Sequence, residues 1–146
     1  MAQYYYAVAT LPMLSLEESS YVSRESFLQF MEEQLTGDDF DALERATIDP
    51  PVEFGDMPRA YLHFARFVVA LRNALSKERA GEFGWEWEEH LRFDDRGETG
   101  VTEPAASTLA REALNEENPF RAEEAMVRAQ WAFLDLDWLD AREALE

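Results

Sequence analysis

Apolar residues recur at helical spacing along most of this chain. Phe27, Leu28, Met31 and Leu35 fall on one face. That spacing predicts a helix capped by Ser23, with Glu25 in its first turn favouring the dipole and Gly37 at its end. Asp38 can cap a second, short helix with Phe40, Leu43 and Ala46 inward, broken by Asp49-Pro50-Pro51. Val52 to Gly55 reads as a loop. Asp56 and Pro58 then open a long helix running to about Ala80, with Gly81 as its stop. Tyr61, Phe64, Ala65, Val68, Leu71 and Leu75 form its main stripe, and Phe67, Ala70 and Ala74 a second. A helix apolar over so much of its circumference is a central one, packed on several sides.

Glu82 to Glu103 is less regular. Gly84, Gly97 and Gly100 punctuate it, Asp94-Asp95-Arg96-Gly97 is a turn signal, and a short helix is expected around Trp85 to Phe93. Thr102 caps the next helix, with Pro104 in its first turn and Leu109, Ala113 and Leu114 inward. Asn118-Pro119 begins the last one. It carries Val127, Trp131, Leu134 and Trp138 on one stripe, and Ala122, Met126, Ala129, Phe133 and Leu136 on another.

The opening Tyr4-Tyr5-Tyr6-Ala7-Val8-Ala9-Thr10-Leu11 is β-prone and stopped by Pro12. One strand makes no sheet. The stretch is expected to be an extended segment packed on helices, or the start of a helix, continued by the apolar loop Met13 to Leu16 and polar Glu17 to Ser20. The pattern as a whole predicts an all-α bundle of five or six helices with an extended N-terminal segment, in a single helical domain over residues 1–144.

Composition adds a constraint the pattern lacks. Among 146 residues, 31 Asp and Glu face 13 Lys and Arg, a formal net charge of −18. Such a surface repels phosphate backbones and anionic membranes, which argues against nucleic acid and for either plain solubility or a basic protein partner. There are no cysteines, so disulfides, thiolate metal sites and Cys nucleophiles are excluded. No apolar run is long enough for a membrane span, so direct membrane insertion is not expected. Met1 to Tyr4 lacks the basic and apolar character of a signal peptide, and a cytoplasmic location is expected.

The end of the chain reads differently from its start. Trp138-Leu139-Asp140-Ala141-Arg142 looks like mid-helix, and Leu145-Glu146 like a cloning junction. The chain is thus expected to be the N-terminal part of a longer protein, with residues 145–146 a scar. The last helix would then lack a partner and self-associate through Trp131, Phe133 and Trp138.

Candidate chemistry is thin. His63 and His90 are the two histidines, and no HExxH is present. Glu86 and His90 would share a helix face, but metal binding needs more ligands. His63 in the apolar helix reads as a core or boundary residue. Paired carboxylates such as Glu32-Glu33, Glu88-Glu89 and Glu116-Glu117 read as solvated helix faces. No GxSxG, Walker A or GxGxxG element occurs. No catalytic residue, metal site or cofactor is assigned, and the chain is expected not to be an enzyme. The most distinctive surface candidate is Gly84-Trp85-Glu86-Trp87-Glu88-Glu89. Residues two apart on a helix do not share a face, so either one of Trp85 and Trp87 is a candidate interface anchor or both pack, one of them under a loop.

Three segments carry a resemblance. The opening Gln3-Tyr4-Tyr5-Tyr6-Ala7-Val8-Ala9-Thr10-Leu11-Pro12-Met13-Leu14-Ser15-Leu16 resembles the start of the DUF2764 family of uncharacterised bacterial proteins. Its members resemble the C-type subunit of V/A-type ATPases, the counterpart of the eukaryotic d-type subunit. The segment from Phe67 to Gly81, with Arg72, Asn73, Leu75 and Arg79, is similar to a helix of that C-type family. Asn118-Pro119-Phe120 with Glu123-Glu124 and Trp131 resembles the opening of a later long helix. The resemblance implies a helical, non-enzymatic subunit that joins the central axle to the membrane rotor ring. Torque transfer of that kind needs a stiff body and shape-matched contacts rather than catalytic groups. It implies V-type ATPase subunits as partners, a peripheral position at the cytoplasmic face of the membrane, and partner-binding roles for Arg72, Asn73 and Arg79 beside Trp85, Trp87 and Trp138. Read from the residues alone, Arg72, Asn73 and Arg79 are equally helix-face hydrogen-bonding groups and a C-terminal dipole partner. A free-standing helical adaptor with an unrelated partner is the alternative reading. The C-type chains are also much longer than this one.

Overall fold

In a computed structural model, residues 2–11, 22–50 and 56–143 are described. The loops expected at Met13–Ser20 and Val52–Gly55, and the Leu145–Glu146 end, lie outside them. The protein is all-α: α1 (Ala2–Ala9), α2 (Arg24–Glu32), α3 (Gly37–Arg45), α4 (Arg59–Phe83), a 3₁₀ turn (Glu88–His90), α5 (Pro104–Leu114) and α6 (Pro119–Glu143). It forms two compact units, Met1–Thr47 and Ile48–Glu146.

In the first unit, α1 replaces the extended segment expected at the N-terminus. An isolated strand leaves its N–H and C=O groups unpaired, whereas a helix pairs them within the segment. Without a neighbouring strand among the described residues, the strand preference of the tyrosines has nothing to act on. Thr10 closes α1 by donating its hydroxyl to the Tyr6 carbonyl at 2.7 Å. Ser23 caps α2, its Oγ accepting from the Ser26 N–H at 3.1 Å. The helix stops at Glu32, earlier than Gly37, which instead opens α3 behind Thr36. The α2 and α3 helices pack together, and Arg24 donates to the Glu44 carbonyl at 2.7 Å.

The second unit is built on α4. Phe64, Phe67, Val68, Ala70, Leu71, Ala74 and Leu75 are buried in one core cluster with Ala106 and Ala110 of α5. Val69 and Ala65 are buried on a further side, with Tyr61 and Leu62 against them. The two stripes read from the sequence are thus both covered, as expected of a central helix. On α5, Ala106, Ala110 and Ala113 are the fully buried positions, while Leu109 and Leu114 pack at the edge of the cluster. Met126 and Phe133 of α6 close the core, with the Phe133 ring stacked on Phe67 at 4.4 Å and 8°.

The helix α4 continues past Gly81 to Phe83 and ends at Gly84, whose φ is 71°. Glycine inside a helix costs about 1 kcal/mol relative to alanine but does not end it. What ends it is the left-handed turn at Gly84, where the Gly84 and Trp85 N–H groups both reach the Ala80 carbonyl, at 2.7 and 3.1 Å. Beyond it, the helix expected around Trp85 to Phe93 is reduced to the 3₁₀ turn. The turn signal at Asp94–Gly97 closes as read: Asp94 Oδ1 accepts from the Arg96 and Glu98 N–H groups at 2.8 and 2.9 Å. Among the described residues no helix is long and apolar enough to cross a membrane.

Candidate functional site

The loop after the 3₁₀ turn is fastened to one face of α4 at three positions spaced like a helical stripe. Arg66 grips Asp95 with two parallel bonds, Nε to Oδ1 at 2.7 Å and Nη2 to Oδ2 at 2.6 Å. Four residues on, Ala70 receives Gly100 so closely that a Cβ there would stand 2.6 Å from the Ala70 Cβ. Three residues further, Asn73 donates to the Arg92 and Thr99 carbonyls at 2.7 and 2.8 Å and accepts from the Arg92 N–H at 2.9 Å. The Arg66 guanidinium holds the Asp95 carboxyl below the ordinary carboxylate range, through its hydrogen bonds first and its charge second.

Two of the sequence candidates lie at this fastening. Asn73 is 1% exposed and its amide is fully engaged inside the unit, so it offers no surface to a partner. Arg72, its neighbour, is half-exposed and paired with Asp49, which also accepts from Arg92 at 3.3 Å. The Arg72 hydrogen bond leads in depressing the Asp49 carboxyl. Arg79 lies exposed one turn before the end of α4.

Trp85 and Trp87 differ in exposure, but the helix on which their spacing was read does not form: Trp85 to Trp87 is irregular, and Trp87 leads into the 3₁₀ turn. Trp87 is half-buried, with the Lys77 Nζ 5.5 Å from its ring centre. Trp85 is 66% exposed and stacks on Phe83, itself 61% exposed, with ring centres 5.2 Å apart. The sequence reading missed Phe83. Taking Gly81 as the stop put it outside the helix, and nothing local separates Gly81, after Ala80, from Gly84, after Phe83. Glu82, Glu86, Glu88 and Glu89 surround the pair in sequence and are all exposed.

On α6 the two stripes separate. Phe133, expected as a self-association residue, is instead part of the core against Phe67. Trp131 is half-buried. The Trp138 side chain lies outside the described residues. Phe120, Val127 and Leu134, one heptad apart, are 75%, 48% and 44% exposed.

The titratable groups do not converge. Glu86 and His90 do not share a helix face, because the Gly84 turn ends α4 before them. His63 is on the exposed side of α4. Among the described residues no group of three or more His, Asp or Glu is placed to hold a metal ion. The one buried carboxylate among them, Asp94, is satisfied by its own turn. An open groove of about 450 Å³ runs between Glu112, Asn115, Glu116, Glu117, Asn118 and Arg121. Comparison with protein-family models, with curated proteins and with solved structures gives no match in any of the three.

Proposed function

We propose that the chain is a non-catalytic helical subunit or accessory protein of a V/A-type rotary ATPase, similar to the C-type subunit, and that it couples the central stalk to the membrane rotor. The opening from Gln3 to Leu16 and the α4 segment from Phe67 to Gly81 carry the resemblance. The structural observation behind the reading is the α4 body: buried on several sides from Phe64 to Leu75, and strapped along one face through Arg66, Ala70 and Asn73. A part that transmits force has to keep its shape under load, and close-packed interiors transmit strain instead of absorbing it. Its partners are V-type ATPase subunits, and its place is peripheral, at the cytoplasmic face of the membrane.

The test is an affinity pull-down of the full-length protein from its native cells, read by mass spectrometry. V-type ATPase subunits should co-purify in constant proportion. Recovery of an unrelated partner without them would replace this reading with that of a free-standing helical adaptor.

A further inference from the structure

The end of α4 presents two large aromatic rings to solvent. Phe83 and Trp85 are already stacked on each other, at 5.2 Å and 27°, so the ring face exists before anything binds it. Exposed rings of this size are costly in water unless covered, and aromatic anchors ringed by polar groups are characteristic of interfaces.

The setting selects what covers them. Every formal charge from Glu82 to Glu89 is negative, four carboxylates in eight residues. All four are exposed, and none pairs with a described cation. Aromatic faces carry the negative side of a quadrupole and attract ammonium and guanidinium groups. Ring and carboxylate thus ask for the same thing. The fold makes this contact for itself with Lys77 over Trp87. Among the described residues no cation lies over Trp85. Nucleic acid and anionic lipid are repelled here, and a second copy of the chain brings a charge of −18 of its own.

We infer that the Phe83–Trp85 ring pair, flanked in sequence by the exposed Glu82, Glu86, Glu88 and Glu89, is the docking site for an arginine- or lysine-bearing segment of a protein partner. The segment lays a cation on the Trp85 ring and its neighbouring basic residues against the carboxylates. This rests on reading the chain as a protein-binding subunit, but not on which assembly it joins.

The experiment titrates the full chain with a short synthetic peptide of alternating arginine and leucine, by calorimetry and tryptophan fluorescence at physiological salt. Binding is expected, with a glutamate-for-arginine peptide silent. Trp85→Ala should weaken it about fivefold, the size of an exposed cation–ring contact, and Trp85→Phe should restore most of the loss. Phe83→Ala and the double change Glu88→Lys/Glu89→Lys should weaken it as well. The double change Glu116→Lys/Glu117→Lys, at the groove between α5 and α6, measures the general pull of the acidic surface and should shift the affinity less than about twofold, in line with exposed charges. Equal losses from both charge reversals, or no loss in Trp85→Ala, would overturn the site. A pull-down without ATPase subunits, alongside an intact Trp85 effect, would remove the assembly and leave the site standing.

Discussion

Asn73 and Arg92 exchange two hydrogen bonds, side-chain Nδ2 to carbonyl at 2.7 Å and backbone N–H to Oδ1 at 2.9 Å. The asparagine amide thereby stands in for the edge of a strand, offering the loop the paired donor and acceptor that a neighbouring backbone would. A second Nδ2 bond, to Thr99, draws the far side of the loop to the same residue. Asn73→Ala should cost about 2–3 kcal/mol, from three bonds lost around a buried side chain. Asn73→Asp should cost more, since it turns an acceptor toward two carbonyls. Urea unfolding of both variants measures this, and a loss under about 0.5 kcal/mol for Asn73→Ala would mean that water replaces the amide.

Gly97 and Gly100 both have positive φ, 73° and 60°, but only Gly100 is crowded. Gly97→Ala should therefore show the conformational cost alone, about 1 kcal/mol. Gly100→Ala adds a collision with the Ala70 backbone and side chain, and should cost at least about 2 kcal/mol in all. Thermal unfolding of the pair gives the comparison, and equal losses would place slack between the loop and α4.

The Arg66–Asp95 pair should make stability depend on pH in one direction. The carboxyl is held below its ordinary value when folded. Its contribution is therefore complete above the unfolded carboxylate range, near about pH 4, and disappears as pH falls through the lower folded value. Side chains 25% and 16% exposed put the pair at about 1 kcal/mol or less. Asp95→Asn should lower stability at neutral pH and converge on wild type in acid. A gap unchanged between about pH 7 and pH 2.5 would show that the variant loses something other than charge.

The last helix should be sensitive on one side only. Phe133→Ala removes the ring stacked on Phe67 and should cost about 2–3 kcal/mol, somewhat under the full value for a completely buried ring. Val127→Ala, on the exposed stripe, should stay within about 0.5 kcal/mol. Chemical unfolding separates the two. A large loss at Val127 would reveal a covering partner, and sedimentation of the wild type at high concentration would show whether that partner is a second copy.

What could be read from the sequence followed the range of the interactions involved. The α4 stripes needed only a helical period, and Asn118 reaches forward just two residues to accept from the Phe120 N–H at 3.0 Å. Pro104 likewise marks the first residue of α5. The failures came where two local signals competed or where the partner was distant. Gly81 and Gly84 are equivalent as letters, and the backbone chose the one after Phe83. The tyrosine run favoured an extended segment over the start of a helix, and among the described residues no strand neighbours it. Asn73 was picked out on resemblance, but its role depends on groups 19 and 26 residues away, which no local pattern contains. The separation of Trp85 from Trp87 rested on a helix that does not form there, and nothing local announced Phe83 as the ring that Trp85 would lie against.

The buried cluster shared by α4 and α5 includes four alanines, Ala70 and Ala74 from one helix and Ala106 and Ala110 from the other. A methyl group has no rotamers to change. Long side chains let helices slide by small amounts as each hops between wells, and they fill in behind the movement. Alanines provide neither service. A push delivered at the Pro104 end of α5 therefore meets four positions that cannot yield by changing rotamer, and what give the cluster has comes from the larger side chains beside them, Leu71, Leu75 and Leu109.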